Sequence, residues 1–446
     1  MSMSKTKTLE VYGFEMDKAG KVKSFNGNLF ANQLLKECPL RFARDGFFYF
    51  YDSESGVWLP MTKAEMDSFI RQYMDEIAPD LWTRGYANAC IESLKSKVYC
   101  DDDPNSQKDF INLQNGMLQI SSGRLGKHSE KYFSTVQLPF EFDLEADCPL
   151  FLKYLHEVFE DDEERIQLAQ EIVGYLLTSE MKAQKAFLLY GTGGNGKSVF
   201  LSVVVSLIGQ ANISYLSLAD LGNQFNRATL YGKQLILSNE NEFGNKQFNT
   251  QHFKEIVGGD VRISAAYKNK DLFDFTPTCK IILSLNSLPS TRDRSDGYYR
   301  RLCFLHFSKQ FSVDKGTADV DLTKKLEAEL PGILNWALKG LDRLKENNYR
   351  FSPCKSSEQL LREYRVEQNP FIEFVEECLL FGDLNARTEN TVLYESFKQW
   401  CRSNGHRGFA DVSCKKFWAE LDKAVLFVDG TTIERKKSGN KRYCKG

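Results

Sequence analysis

Residues 187–198 read FLLYGTGGNGKS, an apolar run that feeds directly into Gly191-x-x-x-x-Gly196-Lys197-Ser198. A backbone that curls its N–H groups around phosphate oxygens leaves no room for side chains, which accounts for glycine at 191, 193, 194 and 196. The stretch that follows, 199–208, is apolar apart from Ser202 and Ser206. It predicts a buried helix whose N-terminal end turns its positive pole toward the phosphates. In such a loop Lys197 reaches the β- and γ-phosphates and the Ser198 hydroxyl meets Mg²⁺. The expected cradle comprises Gly191, Thr192, Gly193, Gly194, Asn195, Gly196, Lys197, Ser198 and Val199.

Downstream, short apolar runs alternate with helix-like pieces to Phe307, the mark of an α/β sheet domain. Gly232-Lys-Gln-Leu-Ile-Leu-Ser-Asn-Glu240-Asn-Glu242 is an apolar strand that ends in acids. ATP hydrolysis needs a carboxylate on Mg²⁺ or its water and another to orient the attacking water, at the end of a strand beside the loop. Glu240 is the expected main acid and metal ligand, with Glu242 as the alternate. A second buried strand, Thr278–Leu285, ends in Asn286, whose amide can hold the water or touch the γ-phosphate without adding charge. Arg300 and Arg301 precede a third apolar run. An arginine that reaches a neighbouring subunit's nucleotide neutralises charge developing on the γ-phosphoryl group.

The segments GTGGNGKS, LILSNENE, FKEIVGGDVRISAAYKNKDLFDFTPT, IILSLNSLP and DGYYRRLCFLHF, in this order and spacing, resemble the superfamily 3 helicases. The resemblance is to the phage and plasmid primase-helicase type that includes satellite-phage and poxvirus replication proteins. It spans about residues 110–446, with NLQNGML (112–118) and a C-terminal segment carrying Tyr394, Phe397, Trp400 and Cys401. It implies an α/β AAA+ P-loop ATPase core, with an α+β N-terminal domain and a C-terminal winged-helix domain. It also implies a ring, usually a homohexamer, that uses ATP and Mg²⁺ to translocate 3′-to-5′ on single-stranded DNA. Lys197, Ser198, Glu240 and Glu242 then form the nucleotide and metal set, Asn286 the sensor, and Arg300 or Arg301 the trans-acting finger, with Arg300 slightly preferred. The run Ser264–Lys270 resembles a pre-sensor hairpin that projects into the ring channel. Lys268 and Lys270 could track phosphates there, with Tyr267 stacking or bracing the loop, and strand alternation would put both lysines on one face.

Around this core the chain divides into an α+β N-terminal domain (1–145), a helical collar (146–185), the ATPase domain (186–355) and a C-terminal domain (366–446). Phe47–Tyr51 and Val57–Trp58 read as a hairpin, and 61–77 as an amphipathic helix. Asn115-Gly116 marks a tight turn. The triple acid Asp101-Asp102-Asp103 is more simply a solvated turn than a metal site. Three helix-like runs after Pro370 lead into a strand pair, 428–433 and 442–444, which is the layout of a winged helix. From Thr431 onward there are six basic residues against one acid, Glu434. Arg435, Lys436, Lys437, Lys441 and Arg442 would lie along a DNA backbone while the helix bearing Lys415 and Lys416 approaches the duplex.

A formal net charge of −2 across 446 residues gives no global pull toward nucleic acid or membrane. Eleven cysteines without a C-x-x-C pair suit reduced thiols. With no leader and no membrane-length apolar run, the expectation is a cytoplasmic protein. No paired Asp-x-Asp with a downstream His suggests a primase, so a separate primase and host replication proteins are expected partners beside single-stranded and origin DNA. The rival expectation is a nucleotide-dependent DNA-binding scaffold or loader without unwinding.

Overall fold

The computed structural model describes residues 9–239, 250–289, 291, 293–311, 319, 321–382, 386–438 and 441–445. Its contacts divide it into two units, Met1–Ser287 with Arg300–Ser356, and Leu288–Tyr299 with Ser357–Gly446.

The first unit is built on five parallel strands: β1 (Ala186–Tyr190), β2 (Ile213–Tyr215), β3 (Leu235–Asn239), β6 (Lys280–Leu285) and β7 (Leu302–His306), with β4 (Ile263–Ala266) and β5 (Leu272–Phe275) forming a separate antiparallel pair. The sheet runs β2-β3-β6-β1-β7, so the strand before the glycine loop is flanked by β6 and β7. Strands covered on both faces must be apolar throughout rather than alternating, and Phe187, Leu188 and Leu189 of β1 are fully buried. Burying each such side chain contributes about 1.5–3 kcal/mol. The cover includes α1 (Pro149–Phe159), α2 (Glu163–Leu176), α3 (Lys197–Ile208) and α5 (Leu330–Glu346), while α4 (Thr250–Gly258) leads toward the β4–β5 pair. Helices α2 and α5 are locked by Glu171, a fully buried carboxylate that accepts from Arg343 Nε at 2.7 Å, Ser352 N at 2.8 Å and Ser352 Oγ at 2.6 Å. A buried charge this well supplied with donors is tolerated where an unpaired one would not be.

Ahead of the sheet, Phe48–Asp52 pairs with Val57–Met61 and with Leu40–Phe42, as the hairpin reading of the aromatic run predicts. Helix Lys63–Ile77 starts on a capping box in which Thr62 Oγ1 accepts from Glu65 N and the Glu65 carboxylate accepts from Thr62 N. The Asn115-Gly116 turn joins Phe110–Leu113 to Gly116–Gln119. In the second unit, helices Pro370–Cys378, Asn390–Ser403 and Cys414–Val428 enclose Phe371, Phe397, Phe417, Leu421 and Val425.

The strand expected over 428–433 is not there. The last helix runs through Val428, and the strands are Glu434–Ser438 and Lys441–Lys445. The run Leu426-Phe427-Val428 has strand-like composition, but the Phe427 ring receives the guanidinium groups of Arg362 and Arg365 at 5.5 and 4.3 Å, a packing that holds it on the helix. Every cysteine is a free thiol, and among the described residues no helix is long and apolar enough to cross a membrane.

Candidate nucleotide and nucleic-acid site

The phosphate-type loop hangs from the C-terminal end of β1, the end where open α/β sheets bind ligands. Gly193, Gly194 and Gly196 adopt φ of +108°, +59° and +82°, and Gly196, the N-cap of α3, has no side chain of its own to offer the helix amides. The positive end of the helix faces the loop, a setting that favours an anion. At Gly191 a Cβ would stand 2.0 Å from Asn195 Nδ2 and 2.5 Å from the Phe307 carbonyl, so only glycine fits. Asn195 is buried and braces the loop, donating to Phe307 O at 3.2 Å and accepting from Lys197 N at 3.3 Å.

Lys197 is 4% exposed. Its ammonium donates to Gly191 O at 2.9 Å, Leu285 O at 2.6 Å and Asn286 Oδ1 at 2.6 Å. Burial pushes its pKa down. The loop lysine and the expected sensor amide are thus brought into direct contact by the pairing of β1 with β6. Thr192 and Ser198 are exposed at the mouth of the loop. Glu240 and Glu242 lie outside the described residues; Asn239, just before them, pairs with Ser284, two positions before Asn286.

A cleft of about 450 Å³ adjoins the loop, lined by Leu150, Lys153, Tyr154 and Glu157 of α1, by Gly194, Gly196 and Val199, and by Phe311, Asp319 and Leu322. Tyr154 donates its hydroxyl hydrogen to Gly196 O at 2.9 Å, and Phe311 N donates to Gly194 O at 2.5 Å, so both walls are bonded to the loop. Lys153 and Glu157 make its rim polar. The sequence reading missed this wall. Its signal was the i, i+4 pairs Leu150/Tyr154 and Lys153/Glu157, which share one side of α1.

Arg300 and Arg301 differ in setting. Arg300 is exposed, whereas Arg301 is half-buried with Asp260 near it. Burial, and then the charge of Arg300, lower the Arg301 pKa, and Asp260 opposes them. Arg301 O also accepts from Ala186 N at 2.7 Å, tying this segment to β1.

The expected hairpin exists as β4 and β5. Its lysines, however, are not on strands: Ala266 and Leu272 are the last pair, and Lys268 and Lys270 occupy the turn, with Asn269 at φ +61°. Alternation therefore does not place them on one face. Both are exposed, but Lys270 Nζ donates to Gly46 O at 3.1 Å and lies 3.0 Å from the centroid of the Phe47 ring. Tyr267 donates to Ala228 O at 3.2 Å and stacks on Phe273, a bracing role. Arg227, not singled out from sequence, holds β4 by donating to Ser264 O at 2.9 Å and to Leu221 O at 2.9 Å.

Residues 189–301 match a family described as of unknown function (DUF5906), and residues 36–160 match the family described as D5 N terminal like. The chain is 27% identical over 318 residues to "Putative helicase L207/L206" of Acanthamoeba polyphaga mimivirus, covering 59% of this chain and 32% of that protein. It is 22% identical over 313 residues to "Putative helicase 022R" of Frog virus 3 (isolate Goorha), covering 65% of this chain and 31% of that one. The chain thus spans about a third of the length of these curated relatives. Among solved structures, the apo C-terminal region of NrS-1 is similar, with a TM-score of 0.52 at 13% identity over 95% of this chain and 99% of that one. A second apo form gives 0.51 at 14% identity over 93% and 96%. The likeness at these identities is one of fold.

The first matched segment begins inside β1 and ends at Arg301, so it takes in the loop, Asn286, the hairpin and both arginines. The second ends at Glu160 and carries the α1 wall of the cleft. Outside both, in the second unit, Lys415 and Lys416 are exposed on the first turn of helix Cys414–Val428. Arg435 pairs with Asp422 and lies 4.7 Å over the Trp418 ring, and Lys436 pairs with Glu434 at 2.9 Å. Lys437 is opposite Arg442 in the strand pair, next to the Ser438–Lys441 pair. Among the described residues no group of His, Cys, Asp and Glu could hold a metal ion; Asp101 and Asp103 bond instead to Arg44 and to Thr276 N.

Proposed function

We propose that this chain is the ATP-dependent motor of a DNA-replication helicase of the superfamily 3, D5-related type, acting as a ring of identical subunits. The observation that carries the reading is the Lys197 ammonium, buried and held between a loop carbonyl, the Leu285 carbonyl and the Asn286 amide. An amine kept on three exchangeable acceptors can transfer its hydrogen bonds to a γ-phosphate with little reorganisation. The glycine cradle, the glycine-capped α3 N-terminus and the adjoining cleft fit a nucleoside triphosphate, with the base against Tyr154 and Phe311.

Mg²⁺, held by Ser198 and by Glu240 or Glu242, would offset charge on the phosphates. The other acid would orient the attacking water, and Asn286 would report the γ-phosphate. Arg300, exposed where Arg301 is tied down, is assigned as the residue that reaches the adjacent subunit's nucleotide. Cycling of this site would drive the β4–β5 turn along one DNA strand. The second unit, read as a winged helix, would contact duplex or origin DNA through Lys415, Lys416, Lys436 and the basic hairpin.

The test is ATPase and strand displacement with parent and Lys197→Ala proteins. Loss of both activities by about 100-fold or more, with DNA binding largely kept, is expected. Unwinding that survives in Lys197→Ala overturns the mechanism. A parent protein with ATP-modulated DNA binding and no displaced strand would instead be a loader or scaffold.

A further inference from the structure

The β4–β5 hairpin is held from outside at both ends by the N-terminal part of the chain. At its tip, Lys270 Nζ donates to Gly46 O at 3.1 Å and sits on the Phe47 ring, and the same ring meets Tyr267 edge-on at 5.1 Å and 86°. The turn that presents Phe47 is itself rigid: Asp45 is 4% exposed and accepts from Phe47 N at 3.1 Å and from Tyr49 Oη at 2.8 Å. At the base, just past β5, Thr276 N donates to Asp103 Oδ2 at 3.1 Å. That carboxylate belongs to the triple acid for which the ATPase chemistry has no use.

We infer that the 43–47 turn and Asp103 form a docking surface by which the N-terminal part grips this hairpin, with Lys270 as its anchor and Lys268 left to meet a DNA strand. The division of labour rests on the hairpin reading above; the docking itself does not. Both lysines are exposed, but an ammonium over an aromatic face is held by the ring quadrupole as well as by its carbonyl bond, so Lys270 has less to offer a phosphate than Lys268. The N-terminal part then travels with the hairpin, because a grip at tip and base resists sliding and hinging alike.

Two measurements on the full chain separate these claims. Backbone hydrogen exchange over 263–275 should quicken about tenfold in Phe47→Ala, and by less in Phe47→Leu, which keeps most of the packing volume. Unchanged exchange in both variants overturns the docking. In binding of a fluorescent oligothymidylate at several salt concentrations, Lys268→Ala should reduce affinity and shrink the salt slope by about 0.7, whereas Lys270→Met should leave the slope as it was. An equal loss in Lys270→Met overturns its assignment as anchor. If neither lysine variant alters DNA binding, the strand-contact reading fails, while quickened exchange in Phe47→Ala still supports the grip.

Discussion

Lys280, at the start of β6, is a charge-bearing side chain with almost no access to water. It is 1% exposed, its ammonium donates to Thr178 O, and it lies 4.9 Å over the Tyr175 ring. Burial lowers its pKa from the ordinary 10.5 to about 7. Because the folded value lies below the unfolded one, residue 280 is more protonated in the unfolded chain between about pH 7 and pH 10, and its contribution to stability climbs as pH rises through that window. The unfolding free energy of the parent measured against that of Lys280→Met should therefore grow from pH 7 to pH 9, by at most about 1.4 kcal/mol per pH unit. A difference between the two proteins that does not change with pH would show that Lys280 does not titrate in this window. Residue-level legibility was uneven. Lys197 and Asn286 were readable because loop chemistry fixes their types, whereas Lys280 looked like one more polar residue opening a strand.

Helix α1 shows what an element contributes beyond its own amphipathic pattern. Its periodicity foretold a helix, and its buried face, Phe151, Tyr154, Leu155, Val158 and Phe159, packs into the main core. What periodicity could not say is that the next turn over lines the loop cleft, since that depends on which side of the sheet α1 lands. Phe311, on the opposite wall, comes from a segment with no regular structure, and so had no periodic signal at all. Phe311→Ala should weaken binding of a fluorescent ATP analogue about tenfold while the unfolding temperature moves little, because the ring is only half-buried. Unaltered affinity would remove the cleft from the nucleotide site. The C-terminal strands teach the converse lesson: the strand expected over 428–433 starts instead at Glu434, and the helix before it continues through Val428, with Phe427 packed against Arg362 and Arg365.

At the scale of the whole molecule, the sheet order determines which residues can act together. β6 joins the sheet between β3 and β1, which sets Asn286 beside Lys197. Arg300 is exposed, and under the proposed ring reading it is the residue offered to the neighbouring subunit's nucleotide. Mixing inactive Lys197→Ala protein with inactive Arg300→Ala protein should restore ATPase, to about a quarter of the parental rate at equal proportions in random rings. A mixture as silent as its components would show that the arginine works in its own subunit or not at all.

The amino-acid order by itself determined the strand–loop–helix unit at 186–208, the apolar strands that follow it and the glycines that make the loop possible, because those depend on backbone sterics and on periods read over a few residues. Tertiary structure alone decided the strand order, the α1 wall, the different settings of Arg300 and Arg301, and the capture of Lys270 by Phe47. Each of these joins residues far apart in the chain, and nothing local records which distant surface a side chain will meet once the core has closed.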